Sequence, residues 1–173
     1  GRPMNLKTIL PAAAAVAFLA SCATHEPMPF AAATDCFYPA CAVNVEVVDD
    51  GKGGKKLKAH GDGNVRMGTR HKLVAIVWNL KTPGYEFRGD SLQPHSTASV
   101  QGKPTTSYGV WSQEIQNHGY WSDSISVTNM NNERRLLHYD LTVYPSFGTP
   151  GRPLSLDAAI MNDPCPYPGS SCR

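Results

Sequence analysis

Motifs that mark common enzyme and redox classes are missing from this chain. No serine lies in a GxSxG motif and no histidine lies in an HExxH motif, which excludes the usual nucleophile elbow and the zincin metalloproteases. No cysteine lies between Cys41 and Cys165, so the cysteine and two histidines of a blue-copper site are not available at their usual late spacing. We therefore expect a protein that is not an enzyme, and we assign it no cofactor and no metal.

The chain also lacks a membrane-length apolar segment and an excess of charge. Its longest apolar run, residues 9–19, is shorter than the ~20 residues that a membrane-spanning helix needs. If this run is an export signal, Arg2 and Lys7 leave with it, and the 16 Lys and Arg fall to 14, equal to the 14 Asp and Glu. Because a neutral chain exerts no long-range attraction on nucleic acid, we exclude nucleic acid as a partner.

The first 22 residues have the pattern of an export signal. A short basic start at residues 4–7 precedes the apolar run, and small residues lead to Cys22. The segment Leu19-Ala20-Ser21-Cys22 resembles the lipobox of bacterial lipoproteins. This resemblance implies that residues 1–21 are removed, that the Cys22 thiol carries a diacylglycerol and that its new amino group is acylated. Several acyl chains, each buried CH₂ contributing ~0.8 kcal/mol, would anchor the mature protein permanently in a membrane.

The residue after Cys22 bears on the destination. In bacterial lipoproteins an aspartate at this position tends to retain the protein in the inner membrane, and this chain has Ala23 instead. The resemblance therefore implies a lipid-anchored protein of the bacterial outer membrane, facing the periplasm or the cell surface. Residues 1–3 precede Met4, the expected start, and are excluded from reasoning about the fold.

Four cysteines remain after lipidation, and an even number in an exported chain predicts disulfides. They are Cys36, Cys41, Cys165 and Cys172. Local pairs would close two small loops, whereas cross-pairs would join the ends of the domain and constrain the unfolded chain more strongly. We favour Cys36–Cys41 and Cys165–Cys172, because Pro and aromatic residues between the members of each pair suit a turn. Neither spacing is that of a common zinc knuckle.

The mature part has the length of one domain, since removing residues 1–21 from the 173 leaves 152. Residues 22–35 are rich in Ala and Pro and form a predicted tether to the lipid. Residues 36–163 form the predicted folded domain, and residues 164–173 form a tail rich in Cys and Pro.

Period-2 alternation of apolar and polar residues runs through the predicted domain and indicates half-buried strands. It is present at residues 43–47, 124–128 and 137–143, and the continuous apolar run 73–78 predicts a central strand buried on both faces. Gly-rich residues 51–54 predict a hairpin turn, with Lys52, Lys55, Lys56 and Lys58 discouraging edge-to-edge pairing. Residues 156–161 could form one helical turn or lie extended. We expect an all-β protein: an antiparallel sandwich of about seven strands with little or no helix.

Three segments carry a resemblance at the level of the domain. They read AIVWNL at 75–80, PGYEF at 83–87 and LTVY at 141–144. Together they resemble uncharacterised proteobacterial proteins with immunoglobulin-like or cupredoxin-like sandwiches. The resemblance extends over roughly residues 43–163, rests on pattern, and implies a fold without an activity.

The histidines and serines offer no constellation that spacing alone identifies as a site. The histidines of the mature domain, taken one by one, are expected to be polar surface or loop residues. A triad of Ser112 or Ser122 with His138 and Asp140 is conceivable, since triads are recognised by geometry. However, His138 and Asp140 lie two apart on one strand face, which suits surface pairing equally well. A hydrolase is therefore the least favoured hypothesis.

One stretch, residues 108–121, has the composition of a binding surface. Its candidate contact residues are Tyr108, Trp111, His118, Tyr120 and Trp121. Flat aromatic rings could stack on the sugars of peptidoglycan or lipopolysaccharide or form a protein contact. The competing interpretation places both tryptophans in the core of the sandwich. We expect a non-enzymatic envelope protein that binds another envelope component or serves as an assembly subunit, with glycan binding as the alternative.

Overall fold

The computed structural model describes residues 31–95 and 105–164. The predicted signal, Cys22 and most of the predicted tether lie outside these residues, as do Cys165, Cys172 and the tail. The described part holds 11 β-strands, one α-helix and one short 3-10 helix. None of the helices in these two ranges has the length and apolar character needed to cross a membrane.

The elements follow one another in a strand-rich order. The strands are β1 (Thr34–Cys36), β2 (Ala40–Asp49), β3 (Lys55–Ala59), β4 (Val65–Met67), β5 (Val74–Leu80), β6 (Tyr85–Glu86), β7 (Leu92–Pro94), β8 (Ile115–Tyr120), β9 (Ser124–Asn129), β10 (Arg135–Pro145) and β11 (Leu154–Asn162). The 3-10 helix is His60–Gly63 and the α-helix, α1, is Tyr108–Glu114.

The strands form two sheets, as expected of a sandwich-like all-β protein. One sheet has the order β1-β4-β11-β10-β6, with β7 also paired to β10, and the other has the order β3-β2-β5-β9-β8. A single hydrophobic core draws side chains from both sheets. Each Val or Ile removed from water contributes about 1.5–3 kcal/mol, so the alternating strands are held mainly by their inward faces.

The strands with clear period-2 patterns are where the sequence placed them. β2 buries Val43 and Val45, β9 buries Ile125 and Val127, and β10 alternates between buried and half-buried residues along most of its length. β5 is the central strand of its sheet, as predicted. The prediction that β5 is buried on both faces was wrong, because its alternate residues are only half-buried.

Two details of the predicted fold need correction. The described residues form 11 strands rather than about seven, and the two sheets are mixed rather than antiparallel. β1 pairs with β4, β4 with β11 and β2 with β5, all in parallel. Strands of two or three residues, such as β6 and β7, are too short to show a period, and parallel pairing leaves no local mark in a sequence.

The segments left open by the sequence have defined conformations. Residues 156–161 lie extended in β11, paired with β10, and do not form a helical turn. Residues 108–114, in which no helix was expected, form α1. The Ser107 hydroxyl caps this helix by accepting a hydrogen bond from the Val110 amide, with 3.3 Å between oxygen and nitrogen.

The start of the domain is closed by a disulfide. Cys36 and Cys41 are bonded, with their Cα atoms 5.0 Å apart, which confirms local pairing for the first cysteine pair. The bond joins β1, in one sheet, to β2, in the other. Thr34 and Asp35, at the end of the predicted tether, already belong to β1.

The predicted lysine-rich hairpin is also present. β2 and β3 are antiparallel, and the Asp50 carboxylate accepts hydrogen bonds from the amides of Lys52 and Gly54 at 2.7 and 2.9 Å. These backbone hydrogen bonds lower the pKa of Asp50. β3 is an edge strand of its sheet, so Lys55, Lys56 and Lys58 lie where charged side chains oppose pairing with another sheet.

Candidate functional site

The five predicted contact residues are divided by the fold into one core residue and four residues around strand β8. Trp111, on α1, is only 2% exposed and packs against Tyr139, so it is a core residue. Of the others, Tyr108, His118 and Trp121 are exposed and Tyr120 is half-buried. We call Tyr108, His118, Tyr120 and Trp121 the aromatic edge, since β8 is the last strand of its sheet.

A buried carboxylate holds the helix and strand that carry the aromatic edge. Glu114, the last residue of α1, is 2% exposed. Its carboxylate accepts hydrogen bonds from the amides of Asn132 and Glu133 at 2.9 and 3.2 Å, and from the side-chain amide of Asn162 at 3.1 Å. A charged group hidden from water needs such donors, and this one has three. Glu114 therefore fixes α1 and the start of β8 against the turn after β9.

The same network joins the two sheets. The side-chain amide of Asn129, at the end of β9, donates to the side-chain oxygen of Asn162, at the end of β11, over 2.8 Å. The Asn129 oxygen in turn accepts from the amide of Asn131 at 2.7 Å. All three asparagines are completely buried. Together with Glu114 these asparagines form an interior polar cluster.

On one face of β8, His118 and Tyr120 stack. Their ring centroids are 6.0 Å apart with the ring planes at 18°, and the imidazole Nδ1 lies 3.2 Å from the Tyr120 hydroxyl. Tyr120 also packs against the hydrophobic core. Burial is the main reason that the pKa of Tyr120 is raised, and the nearby Tyr108 and Asp90 add to the effect. Tyr120 is therefore a neutral, half-buried phenol at physiological pH.

Trp121 follows β8, and its indole ring lies over Gly119, whose lack of a side chain leaves room for it. A Cβ atom on Gly119 would come within 2.6 Å of the indole ring, so only glycine lets the ring lie this close to β8. Successive strand residues point to opposite faces, so Trp121 and Gly119 share the face opposite Tyr120. The indole remains 57% exposed. The strand thus presents a flat aromatic surface to solvent.

The outer edge of β8 differs from the opposite edge of the same sheet. Gln116, Asn117 and His118 are exposed there, and none of them is a lysine, in contrast to β3. Asn117 has a φ of 52°, and the pairing of β8 with β9 shifts register between Gln116 and Gly119. Such a bulge re-aims side chains, so His118 is presented by an irregular strand rather than a flat one.

Two residues considered for a catalytic triad, Ser112 and Asp140, have hydrogen-bond partners outside it. Asp140 pairs with His95, whose Nδ1 lies 2.8 and 2.9 Å from the two carboxylate oxygens, and His95 was not among the residues considered for the triad. The pairing of β7 with β10 brings His95 beside Asp140. The Ser112 hydroxyl donates to the Gly109 carbonyl within its own helix, over 3.1 Å.

His95 is a loop residue, directly after β7, as the expectation for the histidines allowed, but at 7% exposed it is buried and does not lie at the surface. Sequence reasoning also missed Glu114, Asn129 and Asn162. Their only local signal is a polar residue at the boundary of an apolar segment, and such residues are usually exposed. Burial of these groups depends on contacts between segments that are far apart in the chain.

The fold and the aromatic edge define the class only broadly, as an all-β sandwich with an aromatic-bearing edge strand. No protein-family model matches the chain, and no curated protein matches it. The function must therefore be argued from the residues and their geometry.

Proposed function

We propose that this protein is a non-enzymatic, lipid-anchored protein of the bacterial outer membrane that binds another envelope protein, or assembles with one, through the aromatic edge. The lipobox-like segment ending at Cys22 supports the anchor and the location. The immunoglobulin-like or cupredoxin-like kinship suggested by three sequence segments belongs to the same proposal.

The observation that carries the binding role is the contrast between the two edges of the five-stranded sheet. β3 carries three lysines, a device that keeps edges from pairing, whereas β8 carries amides, a histidine and a half-buried tyrosine, with the exposed rings of Tyr108 on α1 and of Trp121 just after the strand. Tyrosine and tryptophan are enriched at the centres of protein interfaces because they bury a large rigid area at low entropic cost. Because Glu114 and its donors hold α1 and β8 in place, this edge is preorganised.

A site-specific crosslinking experiment tests this role. A photoreactive amino acid is introduced at His118, on the β8 edge, or at Lys56, on the β3 edge, in the full chain expressed in its own bacterium. Both positions are exposed strand residues of one sheet, so the second is a matched control. We expect illumination to give one dominant protein adduct at position 118 and none at position 56. Absence of a protein adduct at 118, or the same adducts at both positions, would contradict the proposal.

Glycan binding is the second candidate, and the position of Trp121 favours it. An indole that lies over Gly119 and is 57% exposed to solvent suits stacking on a sugar ring. In this case the partner would be peptidoglycan or lipopolysaccharide, and no protein adduct would form at position 118.

Sedimentation with purified peptidoglycan tests the glycan candidate. If Trp121 stacks on sugar, Trp121→Ala should weaken co-sedimentation of the full chain about tenfold, equivalent to ~1.4 kcal/mol. Phe147→Ala, which removes a fully exposed aromatic ring elsewhere, should leave binding unchanged. Equal binding by the three proteins, or no binding by the parent chain, would rule out a Trp121-dependent peptidoglycan site.

A further inference from the structure

Three side chains that are far apart in the sequence meet on the six-stranded sheet. Asp140 on β10 lies directly opposite Asp157 on β11, and β7 pairs with the other side of β10. The amide of His95, the residue after β7, donates to the carbonyl of His138 over 2.9 Å. Asp140 and His138 are two apart and share a face, so this pairing places His95 diagonally beside Asp140.

The three groups are close enough to share one ligand. One atom from each of His95, Asp140 and Asp157 lies within 4.8 Å of the other two. The His95 imidazole is aimed at the carboxylates, with Nδ1 at 2.8 Å from the nearer oxygen of Asp140. The His95 side chain is 9% exposed, and its Nε2 has no hydrogen-bond partner among the described residues. The imidazole is thus buried with Nδ1, the nitrogen available to the cluster, facing the Asp140 carboxylate.

The two carboxylates of the cluster face each other across a strand pair. Asp140 and Asp157 are directly opposite on β10 and β11, and carboxylates so placed repel when both are ionised. A divalent cation held between them would relieve that repulsion.

We propose that His95, Asp140 and Asp157 form a binding site for one divalent first-row transition-metal ion, with zinc as the representative. One imidazole nitrogen and two carboxylate oxygens are ligands that zinc takes at three positions of a four-coordinate site. The imidazole argues against magnesium and calcium, which prefer all-oxygen sites. On binding, any proton held by the cluster is released to solvent as the metal takes its place. The ion would link β7, β10 and β11, and it requires no assumption about the aromatic edge.

Titration of the metal-free full chain with cobalt(II) and zinc(II) tests the site. The absorption spectrum of bound cobalt(II) identifies its ligands. Thiolate ligands give an intense sulfur-to-metal charge-transfer band, and nitrogen and oxygen ligands do not. Binding to the cysteines is thereby distinguished from binding to the cluster. We expect one equivalent of cobalt to bind without this band, zinc to displace it, and zinc to raise the melting temperature.

Single substitutions make the assignment specific to these residues. Asp157→Asn, on an exposed side chain, should weaken binding at least about tenfold while leaving the fold intact. Asp123→Asn, on another exposed aspartate, is the matched control and should bind like the parent chain. His95→Gln should also lose binding, and if that variant does not fold, Asp157→Asn decides. No saturable binding, a thiolate-type spectrum, or unchanged affinity of Asp157→Asn would overturn the proposal.

Discussion

Replacing Glu114 with alanine is expected to lower the free energy of unfolding by about 3–5 kcal/mol. The substitution removes the acceptor for two backbone amides and for the side-chain amide of Asn162. Each buried donor left without a partner costs about 1–3 kcal/mol, and a cavity adds to the loss. Asn162 also bonds to Asn129 on the other sheet, so the damage should reach the contact between the sheets.

Urea unfolding followed by circular dichroism would measure this loss. Glu46→Ala is the matched control, because Glu46 is an exposed glutamate on β2 and its removal should change the free energy of unfolding by no more than about 0.5 kcal/mol. Glu114→Gln, which keeps the volume and one acceptor oxygen, should fall between these two variants. If Glu114→Ala is as stable as Glu46→Ala, the carboxylate does not hold the network.

Replacing Trp78 with alanine is expected to cost a similar amount, about 3–5 kcal/mol, the range for removal of a large aromatic side chain from a core. Trp78 is completely buried in β5. Its ring packs edge-on against Tyr139, with centroids 5.6 Å apart at 71°, and its Nε1 donates to the Tyr139 hydroxyl over 3.1 Å. That hydroxyl donates onward to the Gly63 carbonyl, and burial raises the pKa of Tyr139 so that the phenol keeps its proton.

Trp121, the residue after β8, provides the control for this measurement. Trp121→Ala should change the free energy of unfolding by only about 0.5 kcal/mol, since much of the indole is in solvent. Tyr139→Phe isolates the hydroxyl, and its loss should cost about 1–3 kcal/mol because Trp78 Nε1 and the Gly63 carbonyl lose their partner. Similar losses from Trp78→Ala and Trp121→Ala would contradict the packing described.

Much of the fold could be predicted because it depends on residues that are neighbours in the chain. β2, β9 and β10 follow from alternation of side chains to opposite faces, and the β2–β3 hairpin follows from its Asp and Gly residues. The Cys36–Cys41 bond follows from the Pro and aromatic residues between the two cysteines, which suit a turn. α1 was missed because its seven residues, among them a glycine and aromatic rings, carry little helical signal.

The candidate sites, too, could be predicted only where they depend on residues that are neighbours in the chain. The aromatic stretch could be located from composition, but sequence could not separate Trp111, which is in the core, from Trp121, which is in solvent. That difference is made by where α1 packs and by the missing side chain at Gly119. His95 could not be connected with Asp140 or Asp157 at all, because the pairing of β7 and β11 with β10 creates their proximity.

By itself, then, the sequence determined what short segments encode: the all-β character, the alternating strands, the lysine-protected hairpin and the lipobox-like segment on which the anchor is predicted. Tertiary structure alone decided the mixed sheet order, the buried role of Glu114 and the meeting of His95 with two aspartates. The physical reason is the separation along the chain over which each effect acts. Periodicity and turn chemistry act between adjacent residues, whereas burial and electrostatic contact depend on which distant strands become neighbours.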